Sequence, residues 1–410
     1  MKIGTVKGTS DYLPREVALR EFIQNTILET YKLNGFERIM TPALEDIENL
    51  DKSDGGENLN LIFKLLKRGE KLSRAIENFQ FSALADMGLR YDLTLPLSRY
   101  YANNRQNLML PFKCIQIDKV YRAEKPQKGR LREFVQCDID IVGSDSIYCE
   151  IELINVTAKA LLAMGLKNFK VRINDRRILM SVFMSMGFNQ AEVNSVCITF
   201  DKLEKIGVDG ISTELSEKGY NTEKIAALAS IIQNLPASLD YVKSISSDTK
   251  NIDNLQKIIS EVKLLSGNRY NIEFDLSLVR GQGYYTGTVF EIESTDFNSS
   301  IAGGGRYDNL IGKFTKENTP AVGFSIGFER IFNILKDNNI ILPNSRKKIA
   351  IFFENNFLQA SKQADELRYD YDVALFEKPK KLNKFLNALK EEKFYGFIIC
   401  GQSGEIKPLK

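Results

Sequence analysis

Histidine is absent from all 410 residues of the chain. That excludes a Ser-His-Asp triad, a Cys-His pair and a histidine-ligated metal site within one chain. Catalysis would have to run on arginine, lysine, carboxylates, backbone dipoles or a bound Mg2+. Such a set suits phosphoryl or adenylyl transfer better than acyl hydrolysis. Cysteine is sparse as well. Cys114, Cys137, Cys149, Cys197 and Cys400 are odd in number, widely spaced and free of any CxxC. This argues against structural zinc and a disulfide framework and for reduced, packed thiols. No run approaches the roughly 18 consecutive apolar residues of a membrane helix. Met1 to Gly8 carries no apolar signal core. The expectation is a cytoplasmic protein with no membrane partner.

What is present fits a globular chain. Hydrophobic residues make up 43% and charged residues 27% of 410 positions, enough to bury a sizeable core across two or three domains. A net charge of only +3 excludes a strongly basic nucleic-acid binder taken as a whole. The charge is uneven, however. Arg346 to Lys410 holds thirteen Lys and Arg against nine Asp and Glu. Both a polyanionic partner and a merely solvated surface account for that excess.

Along the chain, residues 11–35 read as a helix with Asp11 as N-cap, Pro14 in the first turn and Gly35 at the end. A short β segment, Glu37 to Met40, is broken by Pro42. Asp51 to Asn58 is a polar loop, and 60–80 has no clear period. Residues 113–122 and 132–142 are strands joined by a polar loop, 146–165 is a helix and Phe169 to Ile173 another strand. From 188 to 265 helical periodicity dominates and no chemical motif occurs. Strand character returns at 269–280 and 284–293, and Gly323 to Leu335 reads as a strand leading into a helix. After a polar linker, 348–410 alternates as βαβαβ, a small α/β module.

The densest polar pattern is Tyr121 to Asp140. Its loop carries Arg122, Lys128, Arg130 and Arg132, and Gly129 allows close backbone approach to a ligand. In the strand that follows, Val135, Cys137, Ile139 and Ile141 alternate with Gln136, Asp138 and Asp140. Arginines beside a row of carboxylates suit a triphosphate next to a small zwitterion. The same alternation also serves a solvent-facing sheet. A second cluster runs from Leu278 to Gly287. Its glycines lack the Rossmann spacing. Arg280 inside an otherwise apolar strand is costly unless paired, so it is either functional or an ion-pair partner of Asp275. Gly303-Gly304-Gly305-Arg306-Tyr307-Asp308 fits close backbone approach or a plain turn. Arg330, on a helix after Gly323, fits a phosphate, a base or solvent.

Taken together, these segments resemble the histidyl-tRNA synthetase family of class II aminoacyl-tRNA synthetases. The likeness runs from Lys7-Gly8-Thr9-Ser10-Asp11 to the C-terminal module. Gly35 to Pro42 resembles class motif 1, Tyr121 to Gly143 motif 2 and Gly323 to Arg330 motif 3. The segments Leu278 to Gly287 and Ala302 to Asp308 match the two histidine-specific motifs, and Leu89 to Thr94 fits the family's substrate strand. The resemblance implies an α+β fold: an antiparallel sheet of six or seven strands flanked by helices, with a helical insertion and a small C-terminal anticodon-binding-like domain. It also implies a homodimer acting on L-histidine, ATP with Mg2+, and tRNA(His). By position, Arg122 and Arg280 would be catalytic, and Arg122, Glu124, Arg130 and Arg330 would bind ATP. Asp92, Thr94, Gln136, Asp140, Tyr284, Tyr285 and Gly304 would bind histidine, with the glycines at 303–305 as pocket floor. No metal ligand from the protein is implied, Mg2+ arriving mainly with ATP.

The expected division is 1–187 and 266–336 for the catalytic core, 188–265 for the helical insertion, 337–347 for a linker and 348–410 for the C-terminal domain. Two departures stand out. Gln282-Gly283 replaces the Leu-Asp of many family members, and the family's final helix is expected to be missing after Leu409. The rival reading is a non-catalytic histidine-sensing regulatory subunit of ATP phosphoribosyltransferase, built on the same fold. The arginines at 122, 130, 280 and 330, together with a C-terminal module, favour the ligase.

Overall fold

The computed structural model describes residues 3–52, 60–126, 131–280, 283–296, 299–338, 340, 342–343, 346–402 and 404–409. The chain divides into two compact units, Met1–Asn339 and Ile340–Lys410.

The first unit opens with helix α1 (Pro14–Leu33). Leu19, Ile23, Ile27 and Tyr31 are its buried residues, one per turn on a single stripe. Asp11 is not the N-cap. Leu13 holds that position, and the Glu16 side chain accepts its backbone N–H at 2.8 Å while Pro14 supplies a preset first helical residue. Strand β1 (Glu37–Arg38) follows. The region without clear period forms a small antiparallel sheet of β2 (Leu44–Asp46), β3 (Lys64–Leu66) and β4 (Ala85–Leu89), with α2 (Ile47–Leu50) and α3 (Glu70–Glu77) beside it. The loop expected at 51–58 falls mostly outside the described residues.

Helix α4 (Thr94–Asn104) precedes the two long strands β5 (Phe112–Tyr121) and β6 (Glu133–Val142). Then come α5 (Tyr148–Ala163), β7 (Phe169–Asp175) and α6 (Arg176–Ser185). Helices α7 (Gln190–Phe200), α8 (Leu203–Glu217), α9 (Thr222–Gln233), α10 (Leu239–Ile245) and α11 (Thr249–Ser266) fill the motif-free stretch. Each buries apolar side chains, α10 only Val242, and Asn189, Asn221, Ser238 and Asp248 cap four of them with side-chain acceptors. The chain returns through β8 (Asn271–Phe274), β9 (Thr288–Ser294), β10 (Ser299–Arg306), α12 (Asp308–Thr315), β11 (Ala321–Gly327) and α13 (Phe328–Asp337).

These strands build one eight-stranded sheet in the order β1-β5-β6-β11-β10-β9-β7-β8. The six central strands are antiparallel, and β1 and β8 add parallel edges. This is the antiparallel α+β architecture implied by the resemblance, extended by two short edge strands. Strand β8 ends at Phe274, so Arg280 does not sit in a strand. The Gly303–Gly305 run lies inside β10 rather than after a strand.

The second unit is a four-stranded sheet, ordered β13-β12-β14-β15, of β12 (Lys348–Phe353), β13 (Asp372–Glu377), β14 (Gly396–Ile399) and β15 (Lys407–Pro408). Helices α14 (Phe357–Leu367) and α15 (Leu382–Glu391) complete it. Ile349 and Ile351 face one cluster with Ala360 and Ala364 of α14, and Ala350 and Phe352 face the other with Leu389 of α15. A parallel strand covered on both sides reads as an unbroken apolar run, as 349–353 does. The βαβαβ pattern holds, and β15 adds an antiparallel edge. Its two residues, one a proline, carry no alternation to read. All five cysteines are buried thiols, and no helix among the described residues is long and apolar enough to cross a membrane.

Candidate active site

Directly paired residues in a sheet project to the same face. Across β5, β6, β11, β10, β9 and β7 one such row is Gln116, Asp138, Ser325, Gly303, Glu291 and Arg172. The next row on that face is Cys114, Asp140, Gly323, Gly305, Val289 and Asn174. Glycines at 303, 305 and 323 leave the middle of the face hollow. A cavity of about 520 Å³ fills the space.

The missing side chains are a steric requirement. A Cβ at Gly323 would lie 2.0 Å from Asp140 Oδ1, and one at Gly305 would lie 2.8 Å from the Tyr285 ring. Gly304 reaches the cavity through its backbone only. Its vacant side-chain direction is toward Phe290 and Phe324, whose rings meet at 4.6 Å. Arg306, with the same parity as Gly304, binds Glu150 of α5 through two bonds of 2.7 Å. It is therefore a structural anchor.

The polar row of β6 does not face solvent: Asp138 and Asp140 are 5% and 3% exposed and line the cavity with Gln136. Tyr307 donates to Asp140 Oδ1 at 2.5 Å. Gln136 Nε2 lies 3.4 Å from both Asp138 oxygens, while Gln136 Oε1 is buried without a donor. Asp92, in the turn between β4 and α4, accepts the Leu95 N–H at 3.1 Å in the first turn of α4, and Thr94 begins that helix. Burial pushes the Asp138 carboxyl up to about 7, with the charge of Asp92 adding to it. Burial likewise raises Asp92, and burial followed by the Asp138 charge raises Asp140 well above the usual carboxylate range.

Arginines line the same cavity. Arg122 ends β5's approach to the cavity, its Nε donating to Tyr91 O at 3.0 Å and its guanidinium 5.0 Å from the Phe134 ring. Glu124 lies 4.0 Å from it. Arg280 takes a left-handed backbone conformation, φ 61°, and pairs with Glu291 at 3.1 Å. The proposed partner Asp275 is instead engaged by Arg172 at 2.6 Å. A left-handed turn swings the Arg280 side chain over the glycine floor, which no strand geometry would do. Tyr284 and Tyr285 follow, their rings 4.9 Å apart. Arg330 borders the cavity from α13 and donates to Ser300 O, although it is otherwise exposed. Its neighbour Glu329 is clamped by Arg20 at 2.6 and 2.8 Å.

Asp92, Thr94, Arg122, Glu124, Gln136, Asp140, Arg280, Tyr284, Tyr285, Gly304 and Arg330 thus all border one cavity. Arg130 and Gln282 lie outside the described residues. Sequence reasoning assigned no role to Asp138, Glu291, Ser325 or Tyr307. Asp138 was identifiable from the alternation of β6, and Glu291 only from the cross-strand register. Among the described residues, no group of three Cys, Asp or Glu is arranged to hold a metal ion.

The arrangement gathers guanidiniums, which suit anions, and buried carboxylates, which suit cations, around one cavity. Comparison with known proteins agrees with it. The family model described as "Histidyl-tRNA synthetase" matches residues 8–331. A histidine–tRNA ligase of Leifsonia xyli is 42% identical over 346 residues, covering 80% of this chain and 79% of that protein. One from Cytophaga hutchinsonii is 34% identical over 416 residues, covering 97% and 92%. The crystal structure of histidyl-tRNA synthetase from Nostoc sp. PCC 7120 superposes with a TM-score of 0.78 at 28% identity, covering 97% of this chain and 91% of that one. The chain belongs to the histidyl-tRNA synthetase family.

Proposed function

We propose that the chain attaches L-histidine to tRNA(His) through a histidyl-adenylate. The observation that carries this reading is that Arg122, Arg280 and Arg330 border the same cavity as Asp92, Asp138 and Asp140. In the first step a histidine carboxylate oxygen attacks the α-phosphorus of ATP in line, and pyrophosphate leaves. Negative charge grows on the phosphoryl oxygens, where Arg122 and Arg280 stabilise it. Mg2+, bound mainly through the ATP phosphates, would supply further neutralisation of their charge. Glu124 and Arg330 hold the nucleotide, Arg330 against the adenine, and Arg130 takes the outer phosphates. In the second step the terminal ribose hydroxyl of the tRNA attacks the adenylate carbonyl, and AMP leaves. No protein nucleophile is required, in keeping with a chain that lacks histidine.

The amino acid is held by complementary charge. Asp92, Thr94 and Gln136 receive the ammonium group. A neutral imidazole offers one donor and one acceptor, which Asp140 and the Tyr285 hydroxyl satisfy, with Tyr284 closing the wall. The 2.5 Å bond from Tyr307 fixes Asp140 by one oxygen, and its other oxygen serves the ring. An analogue lacking a ring N–H would leave a buried carboxylate unpaired, a penalty that produces specificity.

The divisions at 187, 265, 336 and 347 follow the same reading, with 188–265 as insertion and 348–410 as anticodon-binding-like domain. Exposed Phe357, Tyr369 and Tyr395 in the second unit support contact with RNA bases. A homodimer is supported by exposed apolar side chains around the small sheet, among them Leu66, Phe79 and Phe81 at 62%, 78% and 74% exposure. Its place is the compartment of translation. The rival sensing role would not need guanidiniums gathered at the cavity. ATP–pyrophosphate exchange with each of the twenty amino acids tests the assignment. Exchange with histidine alone is the expected result. No exchange with histidine, ATP and Mg2+ supplied would overturn the reading and leave the sensor.

A further inference from the structure

One end of the cavity is rich in acceptors and poor in donors. Asp92, Asp138 and Asp140 are each no more than 5% exposed there. Gln136 Oε1 is buried beside them without a donor. The donors that could relieve Asp138 are mostly committed elsewhere. Gln116, opposite Asp138 on β5, spends its Nε2 on Leu93 O at 2.9 Å and accepts from Thr41 at 3.2 Å. Arg122 is drawn to the Tyr91 carbonyl and the Phe134 ring, and Arg280 is held by Glu291 through Nη1 while its Nε is buried without an acceptor. Ser325, opposite on β11, and the Gln136 amide at 3.4 Å give Asp138 only modest help. Among the described residues, no lysine or arginine forms an ion pair with Asp138.

A buried carboxylate in such a place has two remedies, a proton or a cation bearing N–H groups. An alkylammonium provides one positive charge and three donors, which matches Asp138, Asp92 and the orphaned Gln136 oxygen. We propose that Asp138 is a further binding determinant for the amino acid's ammonium group, and that it releases its proton to solvent when that group enters. This rests on the ligase reading of the same cavity. In the step the Asp138 O–H bond breaks, the proton goes to buffer, and the carboxylate accepts an N–H of the ammonium. Nothing is oxidised or reduced.

The surroundings support the exchange. Burial, then the neighbouring Asp92, sets the Asp138 carboxyl near 7, against the opposing pull of Ser325, Gln136 and Arg122. The facing phenols stay neutral at that pH, because burial raises Tyr284, Tyr285 and Tyr307. Asp140, held by Tyr307, is the other acid of the same strand that lines the cavity and is also raised by burial.

Calorimetry of histidine binding to the full chain, without ATP, tests this at pH 7 in two buffers of different ionisation enthalpy. A group half-protonated at that pH releases about half a proton per histidine bound. The Asp138→Asn variant should release that much less and bind histidine at least about tenfold more weakly, as loss of a charged hydrogen bond implies. The difference between the two proteins is the readout, because the free imidazole titrates in the same range. Ser325→Ala removes a hydroxyl that holds the carboxyl down, so it should release more protons than the unmodified chain. Equal proton release in all three proteins overturns the inference. Absence of any histidine binding to the unmodified chain instead overturns the ligase reading.

Discussion

The guanidinium of Arg280 occupies the space in which a side chain at residue 303 would begin. A Cβ on Gly303 would sit 1.7 Å from Arg280 Nη1 and 2.3 Å from its Cζ. The two residues are 23 apart in sequence, and neither motif announces the other. The left-handed backbone at Arg280, the bare strand at 303 and the carboxylate of Glu291 together set one guanidinium over the cavity floor.

Gly303→Ala should therefore displace Arg280 without removing it. We expect ATP–pyrophosphate exchange to fall by roughly 100-fold, the scale for losing one charge-stabilising donor. Circular dichroism should remain that of the folded chain. A folded variant with near-normal exchange would show that Arg280 does not act from this position.

Glu291 acts through Arg280 and is a positioning residue. Glu291→Gln keeps the volume and removes the charge. A charge-assisted hydrogen bond contributes about 1.5–3 kcal/mol, so kcat for exchange should drop about tenfold or more. KM for histidine should move much less, since Glu291 does not line the cavity and meets it only through Arg280. A change confined to KM would place Glu291 in amino-acid binding instead.

Much of this site was legible because chemistry-bearing residues cluster in short segments. The alternation of 135–141 predicts the strand and a shared face for its carboxylates, while leaving open whether that face meets a ligand or solvent. The loop arginine at 122 and the glycine run marked places of close approach. What was not legible depends on pairing between distant strands. Arg280 reads as a strand residue because apolar Leu278 and Val279 precede it, yet its left-handed turn leaves no trace in composition. Arg306 belongs to a substrate-type motif, but strand parity sends it away from the cavity to Glu150. The small sheet of β2, β3 and β4 escaped because its strands have three to five residues, too few to show alternation.

The Arg306–Glu150 pair is almost wholly buried, at 5% and 1% side-chain exposure. Thr288 also donates to Glu150 at 2.8 Å, and Arg306 reaches Asp308 at 3.2 Å. Removing one partner strands the other charge in the interior. Arg306→Met should destabilise the fold by about 3–5 kcal/mol, and pairing it with Glu150→Leu should recover much of that loss. Urea unfolding followed by circular dichroism measures both. A single variant as stable as the unmodified chain would show that water reaches the pair.

Asp138 also makes stability depend on pH before any substrate is present. Its carboxyl sits at about 7 in the folded chain, against about 3.9 when unfolded. The folded state therefore holds the proton more tightly. That contribution is complete below about pH 4 and is lost as pH rises through 7, where the buried group must ionise. The melting temperature of the substrate-free chain should accordingly fall between pH 5 and pH 8. Asparagine cannot ionise, so Asp138→Asn should fall less over the same interval and be relatively more stable at pH 8. Histidine added at pH 8 should raise the melting temperature of the unmodified chain more than that of the variant, because its ammonium meets a carboxylate already charged. Scanning fluorimetry at pH 5, 6, 7 and 8 reads all of this. Parallel curves for the two proteins would mean that Asp138 keeps an ordinary acidity in the cavity, and that its burial is relieved by water rather than by a proton.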